Sequence, residues 1–337
     1  MPQLQGFEAL SSGTFASPTG STISYSHTPL SSHKPGSPIL LLLHGWPQTR
    51  YIWRYAIPPL VQGGYSLFVP DLPGYGESTM SSVAATELGA KTAHDRVSIG
   101  VAVLSAVAAI YGKGGGEELE VVLIGHDRGA RLSQRLITPV ASWSSELGVA
   151  RASNIRILGA MLMDIVPFLE QWKAHANPRV SVGMWHWSFL PAPISVPMVK
   201  AFGGSKFCRE IITQVAGAGR ESLFAGDALE HYAAYYEVDE VIKGAAADYS
   251  AGAAEDVDAQ AEDLKEGRKA QVPVVVLYSQ RIADAHGDVD AVWRRWVSSD
   301  VKLECHLVGG GAGHYLPEEA PEVVNDHIAN FLVSLGV

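Results

Sequence analysis

Residues 125–132 read GHDRGARL and follow directly on the apolar run Leu119-Glu120-Val121-Val122-Leu123-Ile124. A strand that ends in Gly-X-nucleophile-X-Gly and turns at once into a helix is a nucleophile elbow, whose sharp turn presents one side chain at the strand's carboxyl end. The middle position commonly holds serine; here it is Asp127. A carboxylate cannot make the acyl-enzyme of an esterase, so an aspartate at this point implies attack on a different kind of carbon.

Outward from the elbow, apolar runs recur at Pro38–Leu43, Ser66–Val69, Ile155–Met163, Val272–Tyr278 and Val301–Val308. Helical patterns separate them at Arg50–Gln62, Thr92–Tyr111, Arg128–Thr138, Val289–Val297 and Pro321–Leu335. This alternation predicts a parallel sheet wound by right-handed crossovers. Continuous apolar runs suit strands buried on both faces. Ser21–His27 alternates and is read as an antiparallel edge strand paired with Phe7–Phe15. The expected architecture is α/β, with a mostly parallel eight-stranded sheet and helices on both faces.

From about Phe168 to Gln271 the alternation stops, and aromatics (Trp172, Trp185, Trp187, Tyr232, Tyr235, Tyr236, Tyr249) give way to alanine and acidic residues. This stretch reads as a helical cap, residues 168–270, inserted into a core domain made of 1–167 and 271–337. Its tail, Gly252–Lys269, reads as a solvated helix or linker. The glycine-rich turn Gly112–Glu118 precedes a strand and lacks a following GK[ST], so it is not read as a phosphate loop.

The 337 residues are 47% hydrophobic and 18% charged, enough for one large core plus an inserted subdomain. No apolar run approaches the roughly 20 residues of a bilayer span, and the start MPQLQGFEALSSGTF lacks the features of a signal peptide. Two cysteines, Cys208 and Cys305, make no disulfide framework. A cytoplasmic protein is the expectation. A formal net charge of −10 argues against nucleic acid and anionic membrane as partners. It leaves room for a small anion held by local arginines.

Two residues make a catalytic constellation with Asp127. His314 lies in a glycine-rich loop after the last strand, where a base belongs. Asp164 ends the run Ile155–Met163 and can orient that histidine, and chain order is nucleophile, acid, base. Asp284, in SQRIADAHGD, is the alternative acid. An aspartate at a helix start is also a common N-cap. The backbone N–H groups of Trp46, in His44-Gly45-Trp46-Pro47, and of Arg128 are candidates for an oxyanion hole. Trp46 also serves as a pocket wall. An aspartate nucleophile displaces a leaving group from sp³ carbon, giving an alkyl ester that histidine-activated water then hydrolyses. Carbon–halogen cleavage and epoxide opening both fit. Arg128 and Arg131 oppose the macrodipole at their helix N-terminus, which invites a functional reason. Their forks suit a substrate carboxylate, pointing to a 2-halo acid.

The chain resembles the haloacetate and fluoroacetate dehalogenases of the α/β-hydrolase superfamily, the Asp-nucleophile branch next to the epoxide hydrolases. The resemblance runs through HGWPQTRYIWR, DLPGYGES, GHDRGARL, MDIVP, WHWSFL, DYSAG and GHYLPEEAPE. HGWPQ, DLPGYGES and GHYLPEEAPE are shared widely with epoxide hydrolases; D-R-x-x-R and W-H-W are more specific. It implies the α/β-hydrolase fold, Asp127 as nucleophile, His314 as base and Asp164 as its partner. It implies that Arg128 and Arg131 bind a carboxylate and that His186, Trp187 and Tyr249 hold the departing halide. All three of the last group are neutral hydrogen-bond donors. Tyr249 is followed by Ser250 where the family commonly has arginine, and the loops at 112–118 and 141–154 look long. The reaction needs no cofactor, and the other histidines lack metal-ligand spacing, so no metal is expected. The partners expected are a small anionic organic substrate and water, with a homodimer left open. The rival reading is an epoxide hydrolase with Tyr249 as donor.

Overall fold

The computed structural model describes residues 4–81, 94–112, 118–139 and 154–337. Eight strands form one sheet: β1 (Ser11–Ala16), β2 (Thr22–His27), β3 (Ile39–Leu43), β4 (Ser66–Pro70), β5 (Leu119–His126), β6 (Ile155–Met163), β7 (Val274–Tyr278) and β8 (Leu303–Leu307). Their order is β1-β2-β4-β3-β5-β6-β7-β8. The two ladders that involve β2 are antiparallel and the remaining five are parallel. Ser21–His27, expected at the edge, instead lies one strand inside. Its Ile23, Ser24, Tyr25 and Ser26 are buried, whereas the pattern of β1 is mostly exposed. The polar serines that suggested an edge are buried with hydrogen-bond partners, Ser24 Oγ reaching Glu77 at 3.0 Å.

The central strands carry their leucines, valines and isoleucines fully inside; every residue of β3 and β4 is buried. Helices Arg96–Tyr111, Arg128–Leu136 and Pro321–Leu335 supply crossovers and outer layers. Asp95 begins the first of these, its carboxylate accepting from the amides of Val97 and Ser98 at 2.9 and 3.0 Å. The pattern Arg50–Gln62 divides into a 3₁₀ turn, Arg50–Tyr55, and a helix, Ile57–Gln62. Pro58 and Pro59 lack N–H groups and suit only a first turn, so the second helix starts there. Among the described residues no helix is long and apolar enough to cross a membrane.

Between β6 and β7 the described chain is helical, from Phe168–Ala174 through to Asp239–Ala253 and Glu255–Lys265. The last of these was read as a solvated tail, and here the structure differs. Asp256, Gln260 and Asp263 are buried and face polar groups of the core. Asp263 pairs with Arg135 at 2.6 Å. Asp256 takes the Arg96 amide at 2.9 Å, and Gln260 donates to Gln134 at 2.7 Å. Asp256 and Asp263 are thus anchors that tie this helix to the crossover helices, while Asp258 and Glu262 on its other face and Glu266 at its end are exposed as expected. The glycine-rich turn and the long loop noted at 112–118 and 141–154 fall largely outside the described residues.

Removing one partner of a buried ion pair leaves the other charge stranded, at about 3–5 kcal/mol. Asp263→Ala should therefore lower the unfolding free energy by an amount of that order, read as a lower urea midpoint. Asp290→Ala, which breaks the exposed i,i+4 pair with Arg294, should cost under about 1 kcal/mol. Equal midpoints for the two variants would remove the anchoring role.

Candidate active site

The sheet register brings the site together. Leu43 of β3 is level with Gly125 of β5, His126 of β5 with Met163 of β6, and Met163 with Leu277 of β7. The residues that follow these strand ends, Gly45-Trp46, Asp127, Asp164 and Ser279, therefore leave the sheet at one edge, the carboxyl end where ligands bind in such sheets. The ladder continues one step past the strands. The Asp127 amide donates to Met163 O at 3.0 Å and the Asp164 amide to Leu277 O at 2.7 Å.

Asp127 adopts φ 45° and ψ −113° and its side chain makes no cap to the helix it precedes. The N-cap alternative therefore does not describe this aspartate. One glycine gives it room, and a second lets its helix close on β3. A Cβ at Gly45 would lie 2.5 Å from Asp127 Cβ, and one at Gly129 would lie 2.3 Å from Leu43 O. Its Oδ2 accepts from the Trp46 amide at 2.9 Å. His314 Nε2 stands 3.8 Å from Asp127 Oδ1, while its Nδ1 meets Asp164 Oδ2 at 2.7 Å. The other oxygen of Asp164 accepts from the Ser279 amide at 2.6 Å. Asp284 is exposed and takes a hydrogen bond from Gln280 at 2.8 Å. Asp164 is thus the carboxylate on His314.

Electrostatics follow from this geometry. Burial alone would raise the Asp127 carboxyl, but the nearby His314 charge, with His126 and Arg128, holds it far below the usual carboxylate range. Burial pushes His314 down, and the negative charges of Asp127 and Asp164, with the hydrogen bond to Asp164, outweigh that, raising it to about 9. His126 is driven down to about 4 by burial and by the His314 charge. It is therefore neutral, and its Nε2 donates to His314 O at 2.7 Å. Glu319 pins the same loop by accepting from the amides of Gly217, Gly313 and Tyr315 at 2.6, 2.9 and 2.9 Å. Neither positioning group stood out in the sequence, since His126 lies inside the elbow motif and Glu319 within a widely shared one.

A small cavity of about 40 Å³ opens beside Asp127. Trp46, Arg131, Asp164 and His314 line it from the core side, and His186, Trp187 and Tyr249 from the inserted helices. Trp46 stacks on His186 at 5.2 Å, and Tyr249 stands edge-on to both Trp46 and Trp187. His186 is pushed down to about 3 by burial and then by the Arg281 charge. Burial and the Asp127 charge raise the Tyr249 phenol well above its ordinary value. Both are therefore neutral and able to donate.

The two arginines part company. Arg131 lines the cavity, its Nη1 donating to Val166 O at 2.7 Å and its Nε buried without a partner. Its guanidinium lies over Trp187 at 4.5 Å and is lowered to about 9 by burial and by Arg128. Arg128 is not among the cavity-lining residues. Its fork grips Asp248, Nε to Oδ2 at 3.0 Å and Nη2 to Oδ1 at 2.5 Å, leaving Nη1 unpartnered. Asp248 also pairs with Arg96 and accepts from Tyr75 at 2.6 Å. Arg281 lines the cavity too and was not singled out from the sequence. Among the described residues no group of three His, Cys, Asp or Glu side chains is placed to hold a metal ion.

An elbow aspartate, a histidine on a second strand-end aspartate, and helices inserted between β6 and β7 belong to one class of catalytic fold. Residues 40–327 match the alpha/beta hydrolase family, and the chain belongs to it. It is 29% identical to a fluoroacetate dehalogenase from Burkholderia sp over 241 residues, 71% of this chain and 70% of that protein. It is 25% identical to a soluble epoxide hydrolase from Corynebacterium over 306 residues, 88% of this chain and 90% of that one. A Pseudomonas aeruginosa structure, provisionally named an epoxide hydrolase, superposes with a TM-score of 0.76 at 28% identity, covering 97% of each chain.

His314 carries a pH signature. Its folded pKa, about 9, lies above the ordinary 6.5, so its ion pairs contribute fully below about pH 6.5 and fade as pH rises through about 9. The stability gap between the parent and His314→Gln should therefore narrow between pH 6.5 and 9.5 in urea titrations. A gap that widens over that window would contradict the paired, protonated histidine.

Proposed function

We propose that the protein is a hydrolytic dehalogenase of short 2-haloacids, converting a haloacetate to glycolate and halide. The observation that carries this reading is the cavity itself. By the measure in which one water needs about 10–15 Å³, a space of about 40 Å³ suits a molecule of very few heavy atoms. Its walls set Asp127 beside Arg131, a buried guanidinium with no carboxylate partner among the described residues. A small anion with a leaving group on the adjacent carbon completes that charge pattern.

On this reading an oxygen of Asp127 forms a bond to the halogen-bearing carbon while the carbon–halogen bond breaks and its electron pair leaves with the halide. His314 takes a proton from water as that water attacks the carboxyl carbon of Asp127. The tetrahedral oxyanion would lie at the Trp46 amide, which already donates to Asp127 Oδ2 at 2.9 Å. The alcohol product is then released and Asp127 is restored. His186, Trp187 and Tyr249 offer neutral donors to the departing halide. Arg131 meets the substrate carboxylate directly. Arg128, committed to Asp248 and outside the cavity lining, contributes its field. The alternative, epoxide hydrolysis on the same triad, draws support from Tyr249 and from the epoxide hydrolases among the relatives. It gives Arg131 no work.

The deciding experiment is halide release from fluoroacetate and chloroacetate beside diol formation from styrene oxide. Halide without diol is expected, and diol without halide would replace this reading with the alternative. His314→Asn should then accumulate the alkyl ester on Asp127, because displacement needs no general base and hydrolysis does. Intact-protein mass spectrometry should find a carboxymethyl adduct; unmodified protein after long incubation would take His314 out of the second step.

Arg131→Met should raise KM for haloacetate and leave haloacetamide, a poor substrate of the parent, little changed. A buried guanidinium without its carboxylate costs roughly 2–5 kcal/mol, so the parent should prefer acid to amide by about 30-fold or more. Equal rates on acid and amide would argue against the carboxylate site.

A further inference from the structure

Arginine pairing in this molecule is uneven. The buried Arg50, Arg54, Arg96, Arg128 and Arg135 each have a carboxylate partner. The two arginines that line the cavity, Arg131 and Arg281, pair with no carboxylate among the described residues. Arg131 has a use in the proposed reaction. Arg281 has none yet.

Its position narrows the options. Arg281 sits in the helix Gln280–His286, just after β7, and keeps partial exposure, as do Val215 and His314, while the other residues lining the cavity are buried. It therefore belongs to the cavity's open side. Its Nη2 donates to Gly183 O at 2.6 Å, three residues before His186 in the inserted helices. That bond holds the guanidinium beside the segment bearing the W-H-W motif and leaves Nε and Nη1 without a hydrogen-bond partner among the described residues. Its charge is the second cause, after burial, of the low His186 pKa. His186 beside it is accordingly a neutral donor, so Arg281 is the full positive charge at that end of the cavity.

We infer that Arg281 is an anion-binding residue at the cavity mouth that takes up the halide as it leaves carbon and passes it to solvent. The inference rests on the dehalogenase reading and adds a charged member to its leaving-group site. A neutral trio can share out the charge of a departing ion but cannot neutralise it; a rim guanidinium can, and its exposure lets the ion depart. The carboxylate and halide of one substrate are then served by different cations, Arg131 inside and Arg281 outside.

The test uses Arg281→Gln, which keeps a donor for Gly183 O and removes the charge, beside Arg281→Lys, which keeps the charge. Bromide is titrated against tryptophan fluorescence, since Trp46 and Trp187 line the cavity. The parent should have a saturable quenching component. A charge-assisted hydrogen bond lost from a partly exposed site should weaken it about tenfold in Arg281→Gln, with Arg281→Lys closer to the parent. In turnover, Arg281→Gln should depress kcat for fluoroacetate more than for bromoacetate, with KM for the acid little changed. No saturable component in the parent, or equal bromide affinity in parent and Arg281→Gln, overturns the inference. A parent that binds bromide in an Arg281-dependent way yet releases no halide from any haloacetate leaves the anion site standing and removes the dehalogenase reading instead.

Discussion

Asp127 holds a backbone conformation, φ 45°, that costs an ordinary L-residue of order 1–3 kcal/mol, and the elements packed around it are arranged to keep it there. Gly45 leaves the space it needs, Gly129 lets its helix close on the end of β3, and no side chain fits at either. The carboxylate that emerges is turned away from its own helix and onto the Trp46 amide. Asp164 repeats the device, with φ 55°, at the end of the next strand. Both strained residues sit one step past paired strand ends, where the ladder's register is fixed by buried apolar side chains that a slip would expose. The sheet's core is therefore what holds the two carboxylates on either side of His314.

Charge organises the second layer. The inserted helices meet the core through buried ion pairs, Arg96 and Arg128 on Asp248, Arg96 on Asp256 and Arg135 on Asp263. Such pairs stabilise little against apolar packing, yet breaking one is costly, so they fix position more than they add stability. One consequence is that Asp248 and its neighbour Tyr249 are set by the same contacts that engage Arg128. Another is that Arg131, next to two buried arginines and without a carboxylate of its own, lies in a site already biased toward an anion.

Legibility in the sequence followed the range of the interaction. The elbow, the strand-end Asp164 and the glycine-rich loop of His314 obey local rules, and eight strands with a helical insertion could be read from alternation of pattern. The Arg128–Asp248 pair could not, because its partners lie 120 positions apart and no local pattern links them. The same blindness made Gly252–Lys269 read as solvated: its acidic residues match a surface helix until Arg96, Arg135 and Gln134 are seen opposite. Ser21–His27 misled for the converse reason, since serines satisfied by side-chain partners in an interior strand look like an edge. Arg281 lay in a stretch weighed only for its acid, Asp284, and the cavity alone reveals it.

The geometry of His314 also orders the two steps of the proposed reaction. In the free protein two carboxylates hold it protonated up to about pH 9, a poor state for a general base but a useful one for a displacement. The cation beside Asp127 keeps that carboxylate ionised, and the attack needs no proton transfer. Forming the ester removes the Asp127 charge, a main influence raising His314 against burial. Asp164 alone then opposes desolvation, so the histidine's pKa falls and it sheds its proton. The imidazole becomes a base only after there is an ester to hydrolyse. That sequence requires the 3.8 Å separation of His314 from Asp127 to be close enough for their charges to couple and open enough to admit a water once the ester is formed.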